Sequence, residues 1–581
     1  MDNKKCIIFG AGKRGNVAYR LLKMEYEVIG FADNDAKKWG EFFCEKLIYN
    51  PDELKQIKNV EIIIATVYYS SIYTQLKKMG IINVSVFLHM GSAIDDVGDK
   101  YKLCQLPNKP LFSGCKFDRK KAEEIEKDFT RNYSLGQRKE GNALDIKEKR
   151  KVLFCAYIFP PLGGGGVQRS LKFVKYLRKF GYEPVVLTVG KNDGSVIEDN
   201  SMLAELEDDI KVIRIDYNIF LPELMSKEEQ QEIFNLYMGV MQSENWINEY
   251  QQYTRLVPDD KIVWVNQCLK EIESIIDLKD IDIVFTTGNP FSSFFLGYYI
   301  KKKYGMKWVM DYRDPWMCND YYIENFYKSV KDTVELQRQL ENKLVSLCDC
   351  IVGASDLKED FVKKYNIESD KFVEITNGYD EDDFKDIKIE EVGNASFTLC
   401  YNGRIYGNRN PVFLLRIINR LIEEKKIDSG KIQWNFNGGI EGRWKELLKQ
   451  EDLYNIIHYN GSLSHKESIV SAINADLLIL FGEEGMGTII VYTGKLFEYL
   501  RMKKPILSFS AKGGVLDKVF QQTNSGRNFE YKDELGIREY ILSIYDAWNN
   551  KTKVLRPKEE EIKKYDREYL TCQLSRVFDR I

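Results

Sequence analysis

Three times along this chain of 581 residues an apolar strand pattern runs into a glycine-bearing loop and then into a helical pattern, and this recurrence restricts the fold more than any other feature. The first occurrence is Cys6-Ile7-Ile8-Phe9 followed by Gly10-Ala11-Gly12-Lys13-Arg14-Gly15, a helical pattern to about Met24, and a second strand from Glu27 to Ala32 ending at Asp33. The second is Lys151 to Ala156, then Pro160-Pro161-Leu162 and Gly163-Gly164-Gly165-Gly166-Val167-Gln168-Arg169. Its helix, Ser170 to Phe180, has apolar positions at Leu171, Val174 and Leu177 and leads into a strand over Glu183 to Val189. The third starts at Phe397-Thr398-Leu399-Cys400-Tyr401-Asn402-Gly403-Arg404 and continues through Gln433 to Gly439 and Ile457 to Gly461. Repeated βαβ units of this kind predict parallel sheets covered by helices, an α/β class.

A chain of this length exceeds a single core, and domains of about 100 to 200 residues predict three or four units. The first is expected over 1–105 as a small Rossmann-like nucleotide-binding module, too short for a whole dehydrogenase. Its Gly10, Gly12 and Gly15 with Asp33 match a dinucleotide or nucleotide-sugar fingerprint, so NAD or a nucleotide sugar is the ligand that pattern implies, with assembly as the rival use. A polar stretch over 106–150, with Pro107, Pro110, Gly136 and Gly141, reads as a linker. A second α/β unit is expected over 151–395 and a third over 396–545, with a charged helix from about Lys558 to Asp579 within 546–581. Periodicity weakens over 192–263, which reads as an insertion bordering a cleft or surface.

The formal net charge of −3 offers no field for nucleic acid. No signal peptide is legible at Met1-Asp2-Asn3-Lys4-Lys5, and no apolar run approaches the roughly 18 to 20 residues of a membrane span, so a cytoplasmic protein is expected. Lysines and arginines over Lys172 to Lys179 and at Lys301-Lys302-Lys303 are candidates for peripheral contact with the inner membrane surface. Of the 11 cysteines, Cys6, Cys155 and Cys400 sit inside apolar runs as reduced core thiols do. Cys348-Asp349-Cys350 lacks zinc spacing, and no metal site is expected.

The chemistry concentrates late in the chain. Thr493-Gly494-Lys495-Leu496-Phe497-Glu498-Tyr499-Leu500 follows the apolar strand Leu477 to Phe481 and precedes another near Pro505, so it reads as a loop closing onto a helix N-terminus. Amides around Gly494 suit a phosphate, and Glu498, one turn further on, suits two adjacent sugar hydroxyls. Taken with Pro160-Pro161, Gly163 to Gln168, Asp311-Tyr312-Arg313-Asp314-Pro315-Trp316, Ile375-Thr376-Asn377-Gly378-Tyr379-Asp380, Asn402-Gly403-Arg404 and Pro505-Ile506-Leu507, it makes residues 151–581 resemble the family-4 glycosyltransferases of GT-B architecture.

The resemblance implies two facing Rossmann-like domains and a terminal helix crossing back from the second to the first. It implies a metal-independent enzyme that moves a sugar from a nucleotide diphosphate to a saccharide or lipid-linked acceptor in surface-polysaccharide assembly, generally with retention of anomeric configuration. Arg404 and Arg409 would grip the diphosphate, a task planar guanidinium groups suit because charge grows on the leaving phosphate. Lys495 is a further candidate there. Thr493 and Gly494 would offer amides, Glu498 would hold the ribose, and Gly164, Gly165 and Gly166 would approach from the other domain. The sequence departs from the family twice. Ile490 stands where many members have a second glutamate, Glu483 and Glu484 falling too early, and no histidine occurs within 151–450, so Asp314 or Arg313 is the candidate for that place. Alternatives on the same architecture are a nucleotide-sugar epimerase and a non-catalytic nucleotide-sugar scaffold.

Overall fold

The computed structural model describes residues 4–66, 69–89, 101–104, 115–116, 149–163, 165–190, 198–217, 225–251, 256–317, 323, 333–385, 387, 395–482, 490 and 492–581. Its strands form three sheets. In the first, seven strands run in the order Phe42–Phe43, Lys46–Tyr49, Tyr26–Ala32, Lys4–Phe9, Glu61–Ile64, Val84–His89, Tyr101–Cys104. The pairs at its two ends are antiparallel and the rest parallel. The hairpin Phe42–Phe43 with Lys46–Tyr49 is an addition to the sequence reading, a short edge feature with almost no apolar alternation to announce it.

The second sheet has seven strands in the order Lys211–Ile215, Tyr182–Val189, Arg150–Cys155, Ile283–Gly288, Lys307–Tyr312, Cys350–Gly353, Phe372–Glu374. The third has six, in the order Ile457–Gly461, Ile432–Asn437, Phe397–Asn402, Leu477–Phe481, Ile506–Phe509, Gly526–Phe529. Every pair in both is parallel. Ile283–Gly288, Phe397–Asn402 and Leu477–Phe481 are buried along their whole length, as strands with helices on both faces must be, which is why they read as unbroken apolar runs. The architecture is a GT-B type pair of doubly wound α/β domains preceded by a small Rossmann-like domain.

In each sheet the strand order reverses beside the strand that opens the unit. That switch point falls between Lys4–Phe9 and Glu61–Ile64, between Arg150–Cys155 and Ile283–Gly288, and between Phe397–Asn402 and Leu477–Phe481. Crevices at the carboxyl ends of such strands are where open α/β sheets take ligands. The three glycine loops lie there.

Two features of the structure go beyond the sequence reading. The stretch read as an insertion, 192–263, supplies the edge strand Lys211–Ile215 and the helices Lys227–Met241 and Glu244–Tyr250, whose Tyr237, Trp246 and Tyr250 are buried in the core of the second sheet. Its aromatic residues are packing groups: the Tyr237 hydroxyl donates to Val257 O at 2.8 Å and the Trp246 indole to Leu336 O at 3.1 Å. The terminal helix is two helices, Glu559–Lys563 and Arg567–Arg580. The break comes from Asp566, which adopts an extended conformation and accepts hydrogen bonds from Glu568 N and Tyr569 N as an N-cap. Here the chain pairs with the segment leaving the second sheet, Tyr379 N donating to Tyr565 O at 3.0 Å and Arg567 N to Tyr379 O at 2.8 Å. Leu570, Leu574, Val577 and Phe578 then join Val152, Phe154, Phe173 and Phe285 in one apolar cluster.

Candidate functional site

At the switch point of the third sheet, strand ends are tied by side-chain amides. Asn437 Nδ2 donates to Asn402 Oδ1 at 2.7 Å, Asn460 Nδ2 donates to Asn437 Oδ1 at 2.8 Å, and Asn402 Nδ2 donates to Ser468 O at 2.7 Å. Asn402 N donates to the Tyr499 hydroxyl at 3.0 Å, joining the strand end to the helix Gly494–Met502. Gly403 follows at φ +120°, a conformation L side chains rarely adopt, and a Cβ there would lie 2.2 Å from Lys495 Cε. Lys495 is therefore folded across bare backbone, its ammonium 5.2 Å from the centre of the Tyr401 ring. Burial first, then the nearby Arg409, lower the Lys495 ammonium to about 8, with Glu498 acting the other way.

Arg409 and Arg404 flank Tyr406, their guanidinium carbons 4.2 and 6.0 Å from its ring centre. The loop that carries them is braced by Gly407 N donating to Glu441 Oε2 at 3.0 Å and by the Trp444 indole donating to Gly407 O at 3.1 Å. Thr493 caps the helix Gly494–Met502 through its backbone position alone, and its hydroxyl oxygen is buried without a hydrogen-bond partner among the described residues. A Cβ on Gly494 would meet nothing within 4 Å. The first-turn amides of a helix have no intrahelical acceptor, so this end presents donors and a positive dipole. Glu498 lies one turn on, and its Oε1 is 2.9 Å from His465 Nε2.

On the second sheet, Gly164 and the loop residues Glu483 and Glu484 of the third lie outside the described residues. Gly165 and Gly166 open the helix Gly165–Leu177, and a Cβ on Gly166 would collide with the Arg313 guanidinium. Arg313 donates to Asn289 O at 3.0 Å and to Asp314 Oδ2 at 3.1 Å. The Asp314 side chain is 47% exposed. Beneath them Arg169 and Asp311, each 1% exposed, form a bidentate pair, and Arg169 also donates to Thr376 O at 3.0 Å.

The basic stretches read as candidates for membrane contact carry intramolecular ion pairs. Lys172 is 1% exposed and meets Glu205, Asp380 and Asp383 at 2.5, 2.7 and 3.2 Å. Lys175 meets Asp380 and Asp382, Arg178 meets Glu183, Glu207 and Asp209, Lys179 meets Glu568, Lys301 meets Asp349, and Lys303 meets Glu273. Glu205, Asp380 and Asp383 have the spacing of a metal site, but the Lys172 ammonium takes the central position. Burial opposes ionisation of Asp380, yet Lys172, Lys175 and the Tyr176 hydroxyl outweigh it and hold its carboxyl below the usual range. Among the described residues no helix is long and apolar enough to cross a membrane, and nine cysteines are free thiols.

In the first domain Gly10 also lies at φ +120°, and a Cβ on Gly15 would fall 1.9 Å from Gly10 O, which is the close packing of helix on loop that a glycine permits. A Cβ on Gly12 would meet nothing. Asp33 is engaged within the protein: its Oδ2 accepts from Ala11 N and from Lys38 Nζ, both at 2.9 Å.

Two residues of this region were not anticipated. His465 opens the helix His465–Ile473; Ser464 and Glu467 form its capping box, the one local signal that could have placed it. Arg567 opens the helix that returns to the second sheet and is 6% exposed. Its one side-chain hydrogen bond among the described residues goes to Asn377 Oδ1 at 3.4 Å. Burial, then Arg169, lower it to about 9, while Asp380, Glu498 and Asp383 act in the other direction. Arg567 thus stands within electrostatic reach of both large domains.

Residues 2–87 match the family described as C2185-like, N-terminal. No curated protein matches the chain. Among solved structures, HepE of Anabaena in complex with UDP-glucose aligns with 74% of this chain and 100% of its own at 11% identity and TM-score 0.49. The lipopolysaccharide outer core galactosyltransferase WaaB aligns with 74% and 100% at 13% identity and TM-score 0.44. WaaG, a glycosyltransferase involved in lipopolysaccharide biosynthesis, aligns with 73% and 99% at 14% identity and TM-score 0.43.

Proposed function

We propose that the chain is a glycosyltransferase that takes a sugar from a nucleotide-diphosphate donor bound at the switch point of the third sheet. The observation that carries this reading is the Lys495 ammonium folded over Gly403 beside Arg409, next to a helix N-terminus with an open Gly494 and a buried Thr493 hydroxyl that has no hydrogen-bond partner among the described residues. Three cations and a helix dipole converging on one loop suit a diphosphate. In the reaction the bond between the anomeric carbon and the diphosphate oxygen breaks, its electron pair leaving with the phosphate, and the acceptor oxygen bonds to that carbon. Arg404, Arg409 and Lys495 stabilise the charge that accumulates on the leaving group, the part of the barrier such groups lower most. The acceptor proton passes to the departing phosphate.

Glu498 takes the ribose hydroxyls. Asp314, half exposed beside Arg313, is the carboxylate this reading assigns to the second-sheet side of the cleft. Retention of configuration, a saccharide or lipid-linked acceptor and a place in surface-polysaccharide assembly complete the reading. The first domain, with its open Gly12, takes a nucleotide sugar or NAD. The test is a donor panel followed by thermal shift and product formation. A donor that stabilises the protein and is turned over supports the reading, and Arg404→Ala and Glu498→Ala each weaken its binding or turnover at least tenfold. Unchanged donor binding and turnover in both variants places the site elsewhere.

A further inference from the structure

We propose that His465 is a positioning residue of the donor site, fixing the Glu498 carboxylate in the orientation that receives the nucleoside's ribose. The inference rests on the donor-site reading above and deepens it. His465 and Glu498 come from different helices, each starting at a strand end of the third sheet. The histidine backbone is held by reciprocal bonds at the helix start: Glu467 N donates to Ser464 Oγ at 3.3 Å and Ser464 N to Glu467 Oε2 at 2.9 Å. From that fixed point Nε2 lies 2.9 Å from Glu498 Oε1. A carboxylate only accepts, so Nε2 carries the proton. Among the described residues the second Glu498 oxygen accepts no hydrogen bond, which leaves it to a ligand.

A free glutamate has three rotatable bonds, and ordering them at the moment of binding subtracts from affinity. The imidazole removes that cost in advance. It also acts as a pH-dependent holder. The hydrogen bond to Glu498 outweighs burial and keeps the His465 proton above its usual range; the charge of Glu498 and that of Asp383 act with it and Lys172 acts against it. Those three charged groups, each from a different helix or turn, act most strongly on the ring. Below its raised pKa, His465 is an imidazolium in a charge-assisted bond; above it, a neutral N–H donor remains and the bond weakens. Affinity for a nucleoside diphosphate is highest on the acid side and declines, without vanishing, as pH rises through that value.

The experiment titrates UDP, GDP and ADP into the full chain by calorimetry between pH 6 and 9. His465→Ala weakens the diphosphate that binds by roughly three- to tenfold, the span of one lost hydrogen bond. The effect disappears when Glu498→Ala is already present. His465→Gln, which keeps an N–H donor but cannot titrate, restores most of the affinity and removes the histidine's share of the pH dependence, leaving the decline near pH 8 that Lys495 produces. In the free protein, nuclear magnetic resonance of the imidazoles, only three in the chain, records a lower pKa for His465 in Glu498→Ala. If Glu498→Ala abolishes binding and His465→Ala leaves it unchanged, the inference falls and the donor site stands. An equal loss for His465→Ala with and without Glu498 shows a helix-start effect and also overturns it. If none of the three diphosphates binds the wild-type chain, the donor-site reading fails and takes this inference with it.

Discussion

At the scale of single residues, the site turns on cations and carboxylates whose neighbours the chain order conceals. Lys495 is held at about 8 by burial and Arg409. Its native form binds fewer protons than the unfolded chain between pH 8 and 10.5, so its contribution to stability rises with pH across that window. A bound diphosphate reverses the shift by favouring the ammonium. Binding is therefore accompanied by proton uptake near pH 8, and affinity falls as pH rises past it. Calorimetry in buffers of different ionisation enthalpy reads the uptake, and Lys495→Met abolishes it. The sequence marked Lys495, Thr493, Gly494 and Glu498 because strand, glycine and helix follow one another locally. His465 and Arg567 reach the same region from 33 and 69 residues away from Glu498; the capping box at Ser464 marks where a helix starts but not what that helix faces.

At the scale of elements, glycines and caps decide where backbone turns. Gly403 at φ +120° sits under Lys495, so Gly403→Ala both strains the backbone and pushes the lysine off its place. The expected outcome is a loss of about 1 to 3 kcal/mol in stability, measured by urea unfolding, with weakened diphosphate binding. The opposite case is Asp566, a cap that splits what reads as one charged helix into two. Aspartate inside a charged stretch is ambiguous in sequence: it suits a helix surface and a helix start equally, and only its pairing with Tyr379 selects the second. The edge strand Lys211–Ile215 escaped for a related reason, since a five-residue strand with an alternating pattern is easily lost among helices rich in aromatic residues.

At the scale of the whole molecule, the two large domains are held by direct contacts. Asp356 N donates to Ile490 O at 3.2 Å, Tyr492 donates to Glu374 Oε1 at 3.0 Å, and Lys518 pairs with Asp356 at 2.5 Å. Ile490, at the place where the resemblance leads one to expect a glutamate, packs against the core cluster of the second sheet. An apolar residue there serves contact between domains. The helix Arg567–Arg580 adds an apolar join through Leu574, fully buried. Leu574→Ala is expected to cost about 2 to 5 kcal/mol and to separate the unfolding of the second and third sheets into distinct steps, visible by calorimetry.

The sequence by itself determined the α/β class, the recurring succession of strand, glycine loop and helix, and the loops on which the chemistry would be sought, because alternation, apolar runs and glycines act over a few residues. Tertiary structure decided what those loops face. It made Arg313 lie over Gly166, spent Lys172 on three carboxylates, gave Glu498 a histidine partner and brought Arg567 back between the domains. Each is a long-range pairing governed by burial and charge, and neither quantity exists until the chain has packed.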